Sequence, residues 1–64
     1  MSPYRLFIFD RLNRKVEEER GFDAADDRTA VMVAEGWRSA RKAELWQAHR
    51  QVETWVAGSR RRSI

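Results

Sequence analysis

Cysteine is absent from this chain of 64 residues, and proline, glycine and histidine are scarce. Without cysteine the chain forms neither disulfides nor thiolate metal sites, and cysteine usage carries no information about its compartment. No apolar run approaches the roughly 18 residues that span a bilayer, and the first residues lack the apolar stretch of a signal peptide. We therefore expect a cytoplasmic protein with no membrane-spanning segment.

The chain also has few bulky apolar side chains with which to build a core. Apolar residues make up 42% of the sequence, but eight of these 27 residues are alanines, which leaves 19 larger side chains. Burial in so small a body roughly balances the conformational entropy lost on folding, which is on the order of 100 kcal/mol. We expect one small domain that is marginally stable or is stabilised by a partner.

The formal net charge of +3 comes from the end of the chain. Arg60, Arg61 and Arg62 fall within the last seven residues, whereas residues 1–57 contain ten basic and ten acidic side chains. Domains that bind nucleic acid usually concentrate Lys and Arg on one folded surface. We predict a neutral domain over residues 1–57 and a flexible basic tail over 58–64, whose three arginines are candidate contacts for nucleic acid or another anion.

Two strands are predicted in the first third of the chain. Residues 4–10 are rich in aromatic and β-branched side chains, and their alternation puts Tyr4, Leu6 and Ile8 on one face and Phe7 and Phe9 on the other. A strand that is apolar on both faces is expected at the centre of a sheet. After a turn at Leu12-Asn13, a charged edge strand is expected over about 14–24, with one face formed by Val16, Glu18, Arg20, Phe22 and Ala24.

A helix is predicted to follow, capped by Asp26 or Asp27, because aspartate accepts hydrogen bonds from the free N–H groups of a first turn. Its apolar stripe consists of Ala30, Val33, Ala34 and Trp37. Arg38, Arg41 and Lys42 come near its end, where positive charge is favourable beside the helix dipole.

Residues 43–57 fit two patterns. As a helix, the segment would place Leu45, Ala48, Val52 and Trp55 on one face. As a hairpin, it would form one strand over 43–47 and another over 51–56, with Trp46 and Trp55 on the faces opposite Leu45 and Val52. The periodicity of the segment leaves both alternatives open.

Three segments of the chain resemble the pattern of a group of short uncharacterised bacterial proteins. They are Tyr4-Arg5-Leu6-Phe7-Ile8-Phe9-Asp10, Phe22-Asp23-Ala24-Ala25-Asp26-Asp27, and Glu44-Leu45-Trp46-Gln47 with Val52 and Trp55 after it. In that group a glycine commonly follows the E-L-W stretch and implies a turn between two strands, where this chain has Ala48 and His49.

This resemblance implies an α+β fold. It consists of a single ββαββ domain with a mostly antiparallel four-stranded sheet and one helix packed on one face. The alternative is a helical hairpin in which residues 43–57 are helical. The resemblance implies no activity and no site residues.

Residues suited to catalysis are sparse. His49 is the one histidine, no nucleophile motif surrounds any serine, and the glycines at 21, 36 and 58 stand too far apart for a phosphate-binding loop. The acidic group of Asp23, Asp26 and Asp27 lacks the glycine and closing glutamate of a calcium loop. We therefore expect no catalytic residues, metal site, cofactor or small-molecule substrate.

In the ββαββ arrangement, the sheet face opposite the helix would expose part of Phe7, Phe9, Trp46 and Trp55. Contiguous exposed apolar surface is typical of interfaces. We therefore expect a non-enzymatic protein-interaction or oligomerising module, with these four residues as the candidate protein interface. The alternative is a nucleic-acid-binding accessory protein that combines the arginine tail with Trp46 or Trp55.

Overall fold

A computed structural model gives the structure of residues 1–58. The elements follow in the order β1 (Ser2–Phe9), β2 (Val16–Ala24), α1 (Asp27–Arg38), β3 (Ala43–Gln47) and β4 (Arg50–Trp55). The predicted ββαββ order and α+β class are confirmed. The alternative helix over 43–57 is wrong, because this segment forms the β3–β4 hairpin. The candidate anion contacts Arg60, Arg61 and Arg62 lie outside the described residues.

The four strands form one antiparallel sheet in the order β2-β1-β3-β4. β1 is central, as its apolar residues on both faces predict. Tyr4, Leu6 and Ile8 are buried on the face that α1 covers. In the middle of β1, Leu6 pairs with Leu45 of β3 on one side and with Arg20 of β2 on the other.

The helix begins at the predicted cap and lies on two small side chains. The carboxylate of Asp26 accepts a hydrogen bond of 2.8 Å from the backbone N–H of Thr29. Ala30 and Ala34 are completely buried, so that α1 approaches the sheet closely. The buried face of the helix differs from the predicted apolar stripe at its C-terminal end. Trp37 is exposed at the side of the helix, and Arg38 occupies the buried position.

The core lies between α1 and the sheet. It consists of Tyr4, Leu6, Ile8, Ala24, Ala30, Ala34, Ala43, Leu45 and Trp55. The position of Trp55 corrects a prediction, since this side chain was expected on the exposed face and is only 3% exposed. Its indole N–H donates a hydrogen bond of 2.8 Å to the carboxylate of Glu35 on α1.

A register shift explains the position of Trp55. Between Leu45 and Trp46 the pairing with β4 slips by one residue, so that Trp46 pairs with Gln51 and Ala43 pairs with Trp55. Side chains alternate along a strand, and one extra residue therefore moves everything beyond it to the opposite face. Trp46 and Trp55 consequently lie on opposite faces of the sheet.

The same effect occurs at the other end of the sheet. The pairing of β1 with β2 shifts between Ile8 and Phe9, so that Phe9 pairs with Val16 while Ile8 pairs with Glu18. The prediction that Val16 shares a face with Glu18 is therefore wrong. Val16 instead accompanies Phe9 on the side away from the helix, where it is exposed.

Candidate functional site

The sheet face opposite α1, the open face, has a shallow depression that is open to solvent. Its lining residues include Pro3, Arg5, Phe7, Gly21, Asp23, Trp46 and His49. Arg5 pairs with Gly21 on one side and with Trp46 on the other, so these residues form a row across three strands. Because Gly21 has no side chain, the floor of the depression beside Arg5 stays uncovered.

Three aromatic side chains of the open face form what we call the aromatic strip: Phe7, Phe9 and Trp46. All three are half-buried, which agrees with the prediction that they lie on the exposed face. Phe7 and Phe9 are two residues apart on β1. Trp46 is a diagonal neighbour of Phe7, because Trp46 pairs with Arg5 and Phe7 pairs with Glu44.

Charges of both signs surround the aromatic strip. The ammonium of Lys42 lies 4.5 Å from the centre of the Phe9 ring, and the indole N–H of Trp46 donates a hydrogen bond of 3.1 Å to Glu44. Arg5 forms an ion pair of 2.6 Å with Glu19. Since Phe7 pairs directly with both Glu19 and Glu44, a phosphate placed over this ring would meet two carboxylates.

The edge of the open face carries an imidazole group. His49 is exposed in the β3–β4 turn, and the described part of the chain has no cluster of three or more His, Asp or Glu residues that could hold a metal ion. What the face does provide is apolar area bordered by paired charges. This arrangement is suited to contact with another macromolecular surface.

A polar network that the sequence did not predict joins the start of the helix to two strands. The carboxylate of Asp27 accepts one hydrogen bond of 2.7 Å from the hydroxyl of Tyr4 and two, of 2.8 and 3.0 Å, from the guanidinium of Arg50. The Arg50 bonds, followed by the Tyr4 bond, lower the pKa of Asp27 to about 2. The same bond to Asp27 raises the pKa of Tyr4, since an anion close to the hydroxyl opposes its ionisation.

Arg38 is the second residue whose role the sequence did not reveal. Its side chain is 2% exposed, and it donates hydrogen bonds of 2.9 Å to the carbonyl oxygens of Arg41 and Val56. Its guanidinium also lies 5.5 Å from the centre of the Trp55 ring. Burial lowers the pKa of Arg38, while the nearby Glu35 opposes this effect. Its spacing of four residues from Ala34 was the available signal that it continues the buried stripe.

No protein-family model, known curated protein or solved structure matches the chain in the three comparisons. The resemblance to the group of short bacterial proteins therefore stays a prediction. Within residues 1–58, no helix is both long and apolar enough to cross a membrane.

Proposed function

We propose that the protein is a non-enzymatic, cytoplasmic interaction module that self-associates through the open face of its sheet. The observation that carries this proposal is the aromatic strip, three half-buried rings on two adjacent strands with no element of residues 1–58 packed over them. Aromatic side chains are enriched among the residues that contribute most to binding at interfaces. A chain with so small a core also gains stability when a partner covers such a surface.

The dimensions of the molecule suit a second copy as the occupant of this face. The Cα extents of 33 × 28 × 17 Å give the broad side an area on the order of 900 Å², and a stable interface buries about 800 Å² on each partner. Two open faces packed together would therefore form an interface of ordinary size.

The mixture of charges on the open face also favours self-association. In a two-fold symmetric dimer the same surface is present on both sides, so a face of one sign would repel its own copy. Here Arg5 and Lys42 lie beside Glu19 and Glu44, and a cation of one copy can meet a carboxylate of the other. This face can be complementary to itself.

Sedimentation equilibrium over a range from low to high micromolar concentration tests the proposal. The average mass is expected to rise from 7.6 kDa toward twice that value. Phe7→Ser and Trp46→Ser should each weaken association by roughly tenfold or more, as expected of residues central to an interface. Far-UV circular dichroism would establish that each variant is folded.

The matched control is Met32→Ser. Met32 is 69% exposed on the helix side of the molecule, and its replacement should leave the association constant unchanged. A mass of 7.6 kDa at every concentration would overturn the proposal. So would association that neither Phe7→Ser nor Trp46→Ser weakens in folded protein.

The alternative, a nucleic-acid-binding accessory protein that uses exposed tryptophans, has less support. Trp55 is buried beneath α1 and is not available to stack on a base. The indole of Trp46 is bonded to Glu44, whose negative charge would repel a phosphate backbone.

A further inference from the structure

The fold separates charges that cancel when they are counted along the chain. Two connecting segments, residues 10–15 and 39–42, together carry five basic residues and one acidic residue. The rest of residues 1–58 carries five basic and nine acidic residues. The net charge of zero, which the sequence predicted for the domain, is thus divided into +4 on the two segments and −4 elsewhere.

These two segments lie together at one end of the sheet, which we call the basic end. The backbone N–H of Phe9 donates a hydrogen bond of 2.8 Å to the carbonyl of Lys42, which joins the end of β1 to the residue before β3. Asp10, Arg11 and Asn13 line the same hollow as Ser39, Ala40 and Arg41. The topology has therefore brought two distant stretches of sequence into one surface.

The described chain also ends at this surface. The N–H of Gly58 donates a hydrogen bond of 2.6 Å to the carbonyl of Ala40. The next six residues of the sequence contain Arg60, Arg61 and Arg62.

The positive charge of the basic end is only partly balanced by its surroundings. Arg41 forms an ion pair with Glu17, and Lys42 lies over the Phe9 ring. The side chains of Arg11, Arg14 and Lys15 are exposed, and none of the ion pairs found within residues 1–58 involves them.

The acidic residue of this surface, Asp10, has a structural role in the turn. Its carboxylate accepts a hydrogen bond of 2.9 Å from the backbone N–H of Arg14. The Arg14 guanidinium itself takes no part in this bond.

Exposed apolar side chains accompany these cations. Leu12 is 67% exposed between Arg11 and Arg14, and Val16 and Val56 are exposed near the same end. An apolar tip with basic residues around it is suited to an anionic bilayer, because the cations are attracted to headgroups while the apolar group enters the acyl boundary. Against a nucleic acid, the same leucine would face polar phosphates and sugars.

We propose that the basic end binds anionic membrane surfaces peripherally, with Leu12 inserted between the headgroups and Arg11, Arg14 and Lys15 paired with lipid phosphates. The contact is made at the tips of the strands by Leu12, Arg11, Arg14 and Lys15, none of which the proposed self-association uses.

The absence of cysteine provides a direct test, because Leu12→Cys creates a single site for an environment-sensitive fluorophore. With vesicles of phosphatidylcholine and phosphatidylglycerol, the label at position 12 should shift to shorter wavelength and brighten. With vesicles of phosphatidylcholine alone, it should not change. The matched control is Met32→Cys, since Met32 is 69% exposed but lies on α1, and its label should report no change with either vesicle.

Charge variants test the second part of the proposal by vesicle co-sedimentation. The double variant Arg11→Gln/Arg14→Gln should bind anionic vesicles roughly thirtyfold more weakly, given the usual contribution of each cation near a charged bilayer. A chain that ends at Gly58 should also bind more weakly, because it lacks three arginines. The control Arg20→Gln/Arg28→Gln removes the same charge from other exposed parts of the surface and should have much less effect.

Three results would overturn the proposal. The first is equal binding to both kinds of vesicle, and the second is co-sedimentation without a change in the label at position 12. The third is binding to a DNA duplex oligonucleotide, weakened by Arg11→Gln/Arg14→Gln, in protein that does not bind anionic vesicles. That third result would assign the basic end to nucleic acid.

Discussion

Arg38 is a buried cation on which the end of the helix, the loop after it and the end of the sheet all depend. Its hydrogen bonds to the carbonyls of Arg41 and Val56 satisfy backbone groups in two connecting segments. Its planar guanidinium lies near the Trp55 ring, while Glu35 balances part of its charge. A guanidinium is suited to this position, since it can donate in several directions from one plane.

Replacing this residue should therefore be costly. Arg38→Ala would leave two carbonyl groups without their donor, would remove the cation beside Glu35 and would open a cavity, so we expect a loss of about 3 kcal/mol or more in the free energy of unfolding. Urea denaturation measures this loss. Arg28→Ala, at an exposed position of the same helix, is the control and should change stability by less than about 0.5 kcal/mol. Similar losses in both variants would contradict this role for Arg38.

The carboxylate of Asp27 makes stability depend on pH in the acid range. Its pKa in the folded protein is about 2, and the ordinary value in an unfolded chain is about 3.9. A carboxyl group whose pKa falls on folding stabilises the protein above its unfolded pKa and loses that effect as pH drops toward the folded value. The Asp27 contribution should be complete above about pH 4 and should decline between about pH 4 and pH 2.

Tyr4→Phe tests this assignment, because it removes one of the bonds that favour the charged form of Asp27. The pKa of Asp27 should rise toward its ordinary value. The acid loss of stability should then be smaller and should end at a higher pH, while its onset, which the unfolded pKa sets, stays the same. Titration of the Asp27 carboxyl carbon by NMR measures the first effect, and urea denaturation at several pH values measures the second. An unchanged Asp27 titration curve would mean that the Tyr4 hydroxyl does not stabilise the carboxylate.

At the level of the elements, the β3–β4 turn is built on a residue that does not favour its conformation. Ala48 has a φ of 55°, in the left-handed region where a β-carbon is unfavourable. Glycine, which has no β-carbon, is the residue that adopts this conformation most readily. The turn therefore forms without a residue that favours it. Because no such residue marks a turn, the sequence of residues 43–57 left a helix and a hairpin both open.

Ala48→Gly should stabilise the protein. Relief of the left-handed strain, on the order of 1 kcal/mol, exceeds the added entropy of glycine in the unfolded chain, so a net gain of about 0.5 kcal/mol is expected. Thermal or urea unfolding measures it. Ala25→Gly is the control, because Ala25 is exposed and its φ is not positive, and this variant should lose stability.

Gly36 in α1 is a glycine at a position where alanine would be more favourable. It lies inside the helix, and a β-carbon added there would meet no atom within 4 Å. Gly36→Ala should therefore raise the free energy of unfolding by about 1 kcal/mol through helix propensity. Gly58→Ala is the control, since Gly58 has a φ of +81°, and it should be destabilising. A loss of stability in Gly36→Ala would contradict the expectation that helix propensity decides this position.

At the scale of the whole molecule, one small core supports the entire fold. Leu45 is completely buried in this core on β3, which lies between β1 and β4. Leu→Ala substitutions in cores cost about 2–5 kcal/mol, and domains of this size rarely exceed about 3–5 kcal/mol in total stability. Leu45→Ala should leave a large fraction of the chain unfolded at 25 °C, as seen by loss of dispersion in the NMR spectrum. Leu12→Ala, the same change at an exposed position, should leave the spectrum dispersed.

Much of this architecture was predictable from local sequence. The alternation in β1, the cap at Asp26 and the spacing of Ala30 and Ala34 are properties of neighbouring residues, and each formed the expected element. Phe7 and Phe9 of the aromatic strip followed from the same alternation, whereas Trp46 depended on the hairpin over 43–57. The hairpin over 43–57 required the resemblance, because its turn has an alanine where glycine is favourable.

Only the tertiary structure decided which way certain side chains point and which charges come together. Trp55 and Val16 lie on the faces opposite those predicted, because the strand pairing shifts by one residue near each of them. Such shifts arise between two strands and cannot be predicted from the alternation within one strand. Arg38 became a buried residue because the carbonyl of Arg41, in the loop after the helix, and the distant carbonyl of Val56 both accept its hydrogen bonds. The basic end likewise exists because the topology joins residues 10–15 to residues 39–42, whose charges the sequence presents almost thirty positions apart.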